Sequence, residues 1–399
     1  MQWALFRCGV FAVITAAAAC ACGVPARSCG RSAGASDAGS PDGSIRLIGR
    51  FDPPRGQPVR FAWSGSSFEV RFSGPSLAMR LRAAPVVPAS RPPPNDLPPS
   101  PFARSTPYSV SVDGAPPTVL DVSSDQERYE LASGLDPTRP HEVVVMREAE
   151  ANAGVHELLG VDLGPGGRLL EPRPRPYRIE VVGDSISCGY GVLGADAHCG
   201  FSYATERASE AYGARLGRAL DADVTTVCSS GRGVIRNYDG STTDTMPELF
   251  ELALPWASPP VPWSFAAVPP PDAVVLNLGT NDFLGGGGRP LDLAAFEDAY
   301  VRFARRVREV YPRAFVLVTT SPMLHAEPSP SGPGTVKDLA RERLEHAVAR
   351  RTAEGDTRIE LIRLDDESSH WGCDYHPDSA MNARIAARLE TPLRAQLRR

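Results

Sequence analysis

VVGDSISCGYG, residues 181–191, sets an apolar pair directly against a Gly-Asp-Ser turn and follows it with two further glycines. A buried strand ends this way when the chain must leave the sheet at once, and glycine supplies the backbone freedom. If residues 177–182 form a central strand, Ser185 stands just past its carboxyl end, where open parallel sheets collect reactive groups. There the serine offers both a hydroxyl and its own amide N–H. Taken alone, Gly-Asp-Ser is also an ordinary turn composition, so the neighbouring segments decide.

Downstream the texture is one of strands alternating with helices. RASEAYGARLGRAL (207–220) has helical periodicity, DVTTVC (223–228) and DAVVLNLG (272–279) read as strands, and LAAFEDAYVRFARRVREVY (293–311) as a long amphipathic helix. AFVLVTT (314–320), a helix around 336–351, RIELIRL (358–364) and a last helix from about Asp378 complete the series. This predicts an α/β domain with a parallel sheet covered by helices. Upstream, from residue 44 to about 164, short segments such as FEVRFSG, LAMRLRA, YSVSVDG and HEVVVMREA alternate apolar with polar and are punctuated by Gly, Pro and Asp. They predict an all-β, jelly-roll-like antiparallel sandwich. Residues 85–107 are proline-rich and predict a long loop. EPRPRPYRIE (171–180) is a stiff joint between the two textures, which gives domains at 44–172 and 173–399.

The 399 residues fit two domains, and 42% hydrophobic with 22% charged residues is ordinary globular composition. A net charge of -5 with no basic stripe gives no reason to expect a nucleic-acid partner. Residues 1–22 carry CGVFAVITAAAACACG, an apolar run of signal-peptide length that is short for a membrane span. Export follows, either by simple secretion or by lipid anchoring at a bacterial cell envelope, with Cys20 and Cys22 as lipidation candidates. Such an anchor would be the chain's one membrane attachment. Residues 23–43 predict a flexible tether. An exported chain permits one or two disulfides among Cys188, Cys199, Cys228 and Cys373, with the pairing left open. No pair of Cys or His at ligand spacing points to zinc.

Three later segments fall where the same sheet end would gather them. SSGRGVIRNYDG (229–240) offers Gly231 and Gly233 amides, GTNDF (279–283) offers the Asn281 carboxamide to a developing oxyanion, and GCDYHP (372–377) places His376 as a base for Ser185. Asn281 and Asp282 can equally be a turn and a helix cap, and His376-Pro377 a helix entry. Their occurrence together, each after a strand, favours acyl-transfer chemistry, for which serine, imidazole and three N–H donors suffice without metal or organic cofactor.

In that order, Ser185, Gly233, Asn281 and His376 resemble the four named residues of the SGNH, or GDSL-type, hydrolases. More narrowly, GRFD and FAWSGSSFEVRFSG in the first half, with GDSISCGYG, SGRGVIRNYDG, LNLGTNDF and GCDYHP in the second, resemble carbohydrate esterase family 2. The resemblance implies a jelly roll followed by an SGNH domain, and a monomer that removes O-acetyl groups from polysaccharides such as xylan or glucomannan. It also implies an oxyanion hole of Ser185, Gly233 and Asn281, with Gly233 preferred to Gly231 because the family's glycine comes late in its block. Tyr375 resembles the aromatic beside the family's histidine and is a candidate wall of the substrate site. Most SGNH enzymes carry an aspartate three residues before the histidine, where this chain has Cys373. Asp374 is expected to contribute as the third catalytic residue, with a backbone carbonyl as the alternative orienter of His376. Two other readings share these residues: a different SGNH esterase, lipase or thioesterase, and a surface glycan-binding lipoprotein whose hydrolase domain has decayed.

Overall fold

The computed structural model describes residues 45–56, 58–84, 105–364 and 370–398. The signal, the tether, Cys20 and Cys22, and residues 85–104 of the proline-rich segment lie outside the described residues.

The first domain is built from β1 (Ile45–Ile48), β2 (Phe51–Asp52), β3 (Val59–Phe61), β4 (Ser67–Ser73), β5 (Leu77–Ala84), β6 (Ser105–Val112), β7 (Thr118–Ser123), β8 (Arg128–Ala132), β9 (Pro140–Arg147), β10 (Val155–Leu163) and β11 (Arg168–Leu170). One antiparallel sheet has the order β1-β4-β9-β6-β7, with β11 also on β4, and the other runs β2-β3-β10-β5-β8. Strict alternation along β9, buried at every second residue, puts Val143 and Val145 into the space between the sheets. There they meet Phe61, Met79 and Leu81 from the facing sheet, beside Phe68 and Phe72 of β4 in their own sheet. The sandwich follows from period-2 patterning, since each strand can bury only one face. The proline-rich loop expected to reach residue 107 ends earlier, because β6 begins at Ser105 and includes Pro107. Pro107 is tolerated there because pairing of β6 with β9 starts only at Tyr108, while the Pro107 carbonyl accepts from Glu148 N–H.

The second domain contains β12 (Tyr177–Gly183), α1 (Ser185–Cys188), α2 (Tyr212–Leu220), β13 (Ala222–Cys228), α3 (Met246–Leu249), β14 (Leu252–Leu254), β15 (Val261–Pro262), β16 (Ala273–Asn277), α4 (Thr280–Leu284), α5 (Leu293–Val310), β17 (Phe315–Thr319), α6 (Val336–Ala353), β18 (Ile359–Ile362) and α7 (Ser379–Leu397). The parallel sheet has the order β13-β12-β16-β17-β18. Its strand order reverses beside β12, so Ser185 lies at the topological switch point. Val181 packs into the cluster beneath α2 and α7, and Val182 into the cluster beneath α5 and α6.

The two domains share a core. Ala62, Trp63 and Ala151 of the first belong to the same apolar cluster as Val182, Leu276 and Phe250 of the second. Arg50, fully buried, donates to the carbonyls of Phe250 and Leu252 and to Glu180 at 3.0 Å. Arg46 bridges Glu69 and Asp223 at 2.5 Å each.

Candidate active site

The turn after β12 is short because α1 begins immediately. Asp184, in extended conformation, caps it by accepting from Ile186 N–H at 3.1 Å. Gly189 ends the helix in the left-handed region at φ 85°, and a Cβ there would sit 2.4 Å from the Arg207 carbonyl oxygen. Ser185, 6% exposed, is therefore fixed at the sheet end with its N–H engaged by no acceptor among the described residues.

His376 arrives from the loop between β18 and α7. Its Nε2 lies 2.8 Å from Ser185 Oγ, and its Nδ1 lies 3.2 Å from the Cys373 carbonyl and 3.1 Å from the Asp374 carbonyl. With the proton on Nδ1, held by two carbonyls, the Nε2 lone pair faces the serine hydroxyl. Burial pushes the imidazole down to about 4, against the opposing pull of the two carbonyls and of Asp374. The ring is thus neutral at neutral pH and able to take a proton.

Asp374 does not meet the imidazole through its side chain. Its carboxylate accepts from the Tyr190 hydroxyl at 2.5 Å, while the Tyr190 ring stacks on His376 with centroids 4.0 Å apart. The expectation of an Asp374 carboxylate behind His376 is corrected accordingly, and the physical reason is the backbone. Asp374 and Tyr375 are consecutive left-handed residues, φ 51° and 58°, and this tight turn carries both carbonyls inward and the carboxylate outward. Such residues persist where surroundings over-determine them. Here the Cys199–Cys373 disulfide, Asp374 N–H on Cys199 O (2.9 Å) and Gly372 N–H on His376 O (2.8 Å) hold the turn.

The oxyanion side also differs in one residue. Gly233 N–H donates to Asn237 Oδ1 at 3.1 Å, so it is engaged inside its own loop. A Cβ on Gly233 would fall 2.1 Å from Arg236 O and 2.6 Å from Asp282, so this glycine serves close packing. Asp282 accounts for that approach: its buried carboxylate accepts the N–H groups of Val234, Ile235 and Arg236. Gly231 N–H meets no acceptor among the described residues, and its carbonyl accepts from Tyr238 N–H. Asn281, the second residue of α4, donates to Arg232 O at 2.9 Å and makes a long 3.4 Å contact with Asp184. That second amide hydrogen is weakly held. Burial pushes the Asp184 carboxyl up to about 7.

Cys188–Cys228 joins the end of α1 to the end of β13, and Ser229 N–H donates to Gly183 O. The serine turn and the 229–240 loop are thereby fixed together. Tyr375 is exposed beside His376 and meets His198 edge-on at 5.6 Å. Trp256 packs under Arg232 and Trp263 against Arg50. Tyr190, Asn237 and Asp282 are residues that patterning did not single out for these contacts: Tyr190 and Asp282 act on partners distant in the chain, and Asn237 on Gly233 within a folded loop that has no periodicity. Among the described residues no group of three His, Cys, Asp or Glu side chains is arranged for a metal ion.

A switch-point serine on an imidazole, beside unengaged N–H groups, is the arrangement of a serine acylhydrolase. Residues 181–384 match the GDSL-like Lipase/Acylhydrolase family, slightly more than half the chain. The chain belongs to that family. The first domain matches the Carbohydrate esterase 2 N-terminal family over residues 47–173. The chain is 29% identical over 368 residues to the cellulase/esterase CelE of Acetivibrio thermocellus, covering 91% of this chain and 41% of that protein. It is 31% identical over 222 residues to an acetylxylan esterase/glucomannan deacetylase of Cellvibrio japonicus, covering 55% of this chain and 60% of that one. Among solved structures, a family two carbohydrate esterase from Clostridium thermocellum in complex with cellohexaose superposes with a TM-score of 0.76 at 29% identity, covering 88% of this chain and 99% of that one.

Proposed function

We propose that this protein is a serine esterase that removes O-acetyl groups from polysaccharides or their oligosaccharides. The observation that carries this reading is the 2.8 Å contact between Ser185 Oγ and His376 Nε2, with Nδ1 held by two carbonyls. Ser185 attacks the acetyl carbonyl as His376 takes its proton. The N–H groups of Ser185 and Gly231, with the weakly held second hydrogen of the Asn281 amide, receive the oxyanion. His376 then protonates the departing sugar oxygen, and water, activated by the same imidazole, releases acetate. The reaction so written calls on no metal or cofactor. Acetylated xylan or glucomannan as substrate is supported by the names of the relatives, and Tyr375, exposed beside His376, suits stacking on a sugar ring. Export, as a secreted or lipid-anchored protein, is supported by two paired disulfides, which persist in oxidising compartments.

The test is acetate release from a panel of acetylated glycans beside short- and long-chain acyl esters. Acetate from the glycans, lost in Ser185→Ala at unchanged melting temperature, is expected. Preference for long acyl chains would instead favour a lipase, and glycan binding without acetate release would favour a decayed hydrolase.

A further inference from the structure

The segment 147–154, between β9 and β10, projects from the first domain against the second and carries acidic side chains into a buried place. Glu150, 1% exposed, points at the start of the 229–240 loop. Its Oε2 accepts from Ser230 N–H at 2.8 Å and its Oε1 from Ser230 Oγ. The next peptide nitrogen is that of Gly231. Two donors from one residue on one carboxylate fix both the backbone and the side chain of Ser230, and the orientation of the Ser230–Gly231 peptide with them.

We propose that Glu150 is a positioning residue for acyl transfer: supplied by the first domain, it holds the Ser230–Gly231 peptide so that the Gly231 N–H faces the oxyanion. This rests on the esterase reading with Gly231 as a donor. The need for such a hold is local. Gly231 is left-handed, φ 75°, and Gly233 lies two residues on, so this stretch has little side-chain restraint of its own. An oxyanion donor contributes only when preorganised, and misplacement by about 1 Å can cost on the order of 100-fold.

A second buried acid supports the assignment. Glu206 is fully buried and neither of its oxygens receives a donor. Burial and the adjacent Glu150 hold its carboxyl well above the usual range, and burial raises that of Glu150 as well. Of the two, Glu150 is the one that accepts from Ser230. Arg147, Arg232, Tyr190 and Tyr203 complete the charged and titratable surroundings of the pair. The residue after Glu206, Arg207, donates its N–H to the carbonyl of Gly189 at the end of α1. The acid pair thus stands between the nucleophile's helix and the oxyanion loop. Glu148 is the internal reference: equally buried on the same segment, it accepts from Ser209 N–H at 2.8 Å and does not touch the 229–240 loop among the described contacts.

The experiment is steady-state kinetics of the full chain on p-nitrophenyl acetate, with melting temperatures, for Glu150→Gln, Ser230→Ala, Glu148→Gln and Ser185→Ala. Glu150→Gln is expected to lower kcat roughly 10- to 100-fold with KM within about threefold, because a carboxamide offers one acceptor oxygen where the carboxylate offers two and loses the charge that strengthens both bonds. Glu148→Gln is expected to lower the melting temperature and leave kcat within about threefold. If Glu150→Gln does not fold, Ser230→Ala carries the test, with an expected kcat loss of about three- to tenfold at unchanged KM. Wild-type kcat in the folded variant tested, or equal kcat losses in Glu148→Gln and Glu150→Gln, would overturn the proposal and leave the esterase reading standing. Activity surviving in Ser185→Ala would overturn the esterase reading and the proposal together.

Discussion

At the scale of single residues, what stands behind His376, the proposed base, is backbone. A carboxylate that fixes the imidazole tautomer is worth about 10⁴ in kcat when replaced by its amide. Here two carbonyls hold Nδ1, and Asp374 binds Tyr190 instead. Asp374→Asn keeps its carbonyl and an acceptor for Tyr190, so kcat should fall by less than about tenfold, far below a triad loss. A 10⁴-fold drop measured in steady state would place the carboxylate back on the imidazole. The same burial sets the pH response. The base works as the neutral ring, so activity is present above the folded value and lost as pH falls through it. With the imidazole pushed down to about 4, kcat/KM should hold well below pH 6.5 and fall near pH 4. An acid limb centred at or above 6.5 in a pH–rate profile would refute this.

Among elements, the turn that delivers His376, residues 372–376, is tied by a disulfide and by backbone hydrogen bonds. Cys199–Cys373 closes a separation of 174 residues at the base of two consecutive left-handed residues. Replacing both cysteines by serine removes the link that holds the strained turn. We expect a stability loss of about 2–5 kcal/mol by denaturant titration, together with a lower kcat as the carbonyls lose their hold on Nδ1. Loss of stability with kcat unchanged would show that the hydrogen bonds of Asp374 and Gly372 hold the turn by themselves.

On the scale of the whole molecule, the sandwich and the α/β domain are one folding unit from Ile45 onward, because Trp63 and Ala151 complete the core under β12 and β16. Arg50 is the buried tie: it serves Glu180 and two carbonyls of the other domain. Arg50→Met leaves Glu180 without its cation, and breaking such a buried pair costs about 3–5 kcal/mol. Calorimetry should show a single transition in wild type and a lower single transition in the variant. Two separate transitions in wild type would mean that the domains unfold independently.

Period-2 and period-3.6 patterning decided the two domain types from the sequence alone, since each records which face of an element is buried. Glycine and serine at the end of an apolar strand likewise marked Ser185, and His376 stood out before the last helix. Those features are local, and short stretches of chain carry them. The tertiary structure alone decided the rest. Whether Gly231 or Gly233 has an unengaged N–H depends on how the loop folds Asn237 onto Gly233, a fold that Asp282 holds from outside the loop through the N–H groups of Val234, Ile235 and Arg236. The pairing of four cysteines depends on which loops the sheet brings together. The side chain of Asp374 turns away from His376 because two left-handed residues, held by Cys199 and Gly372, reverse the chain there. Spacing in a sequence counts residues, whereas the direction of a side chain is set by backbone angles that distant contacts impose.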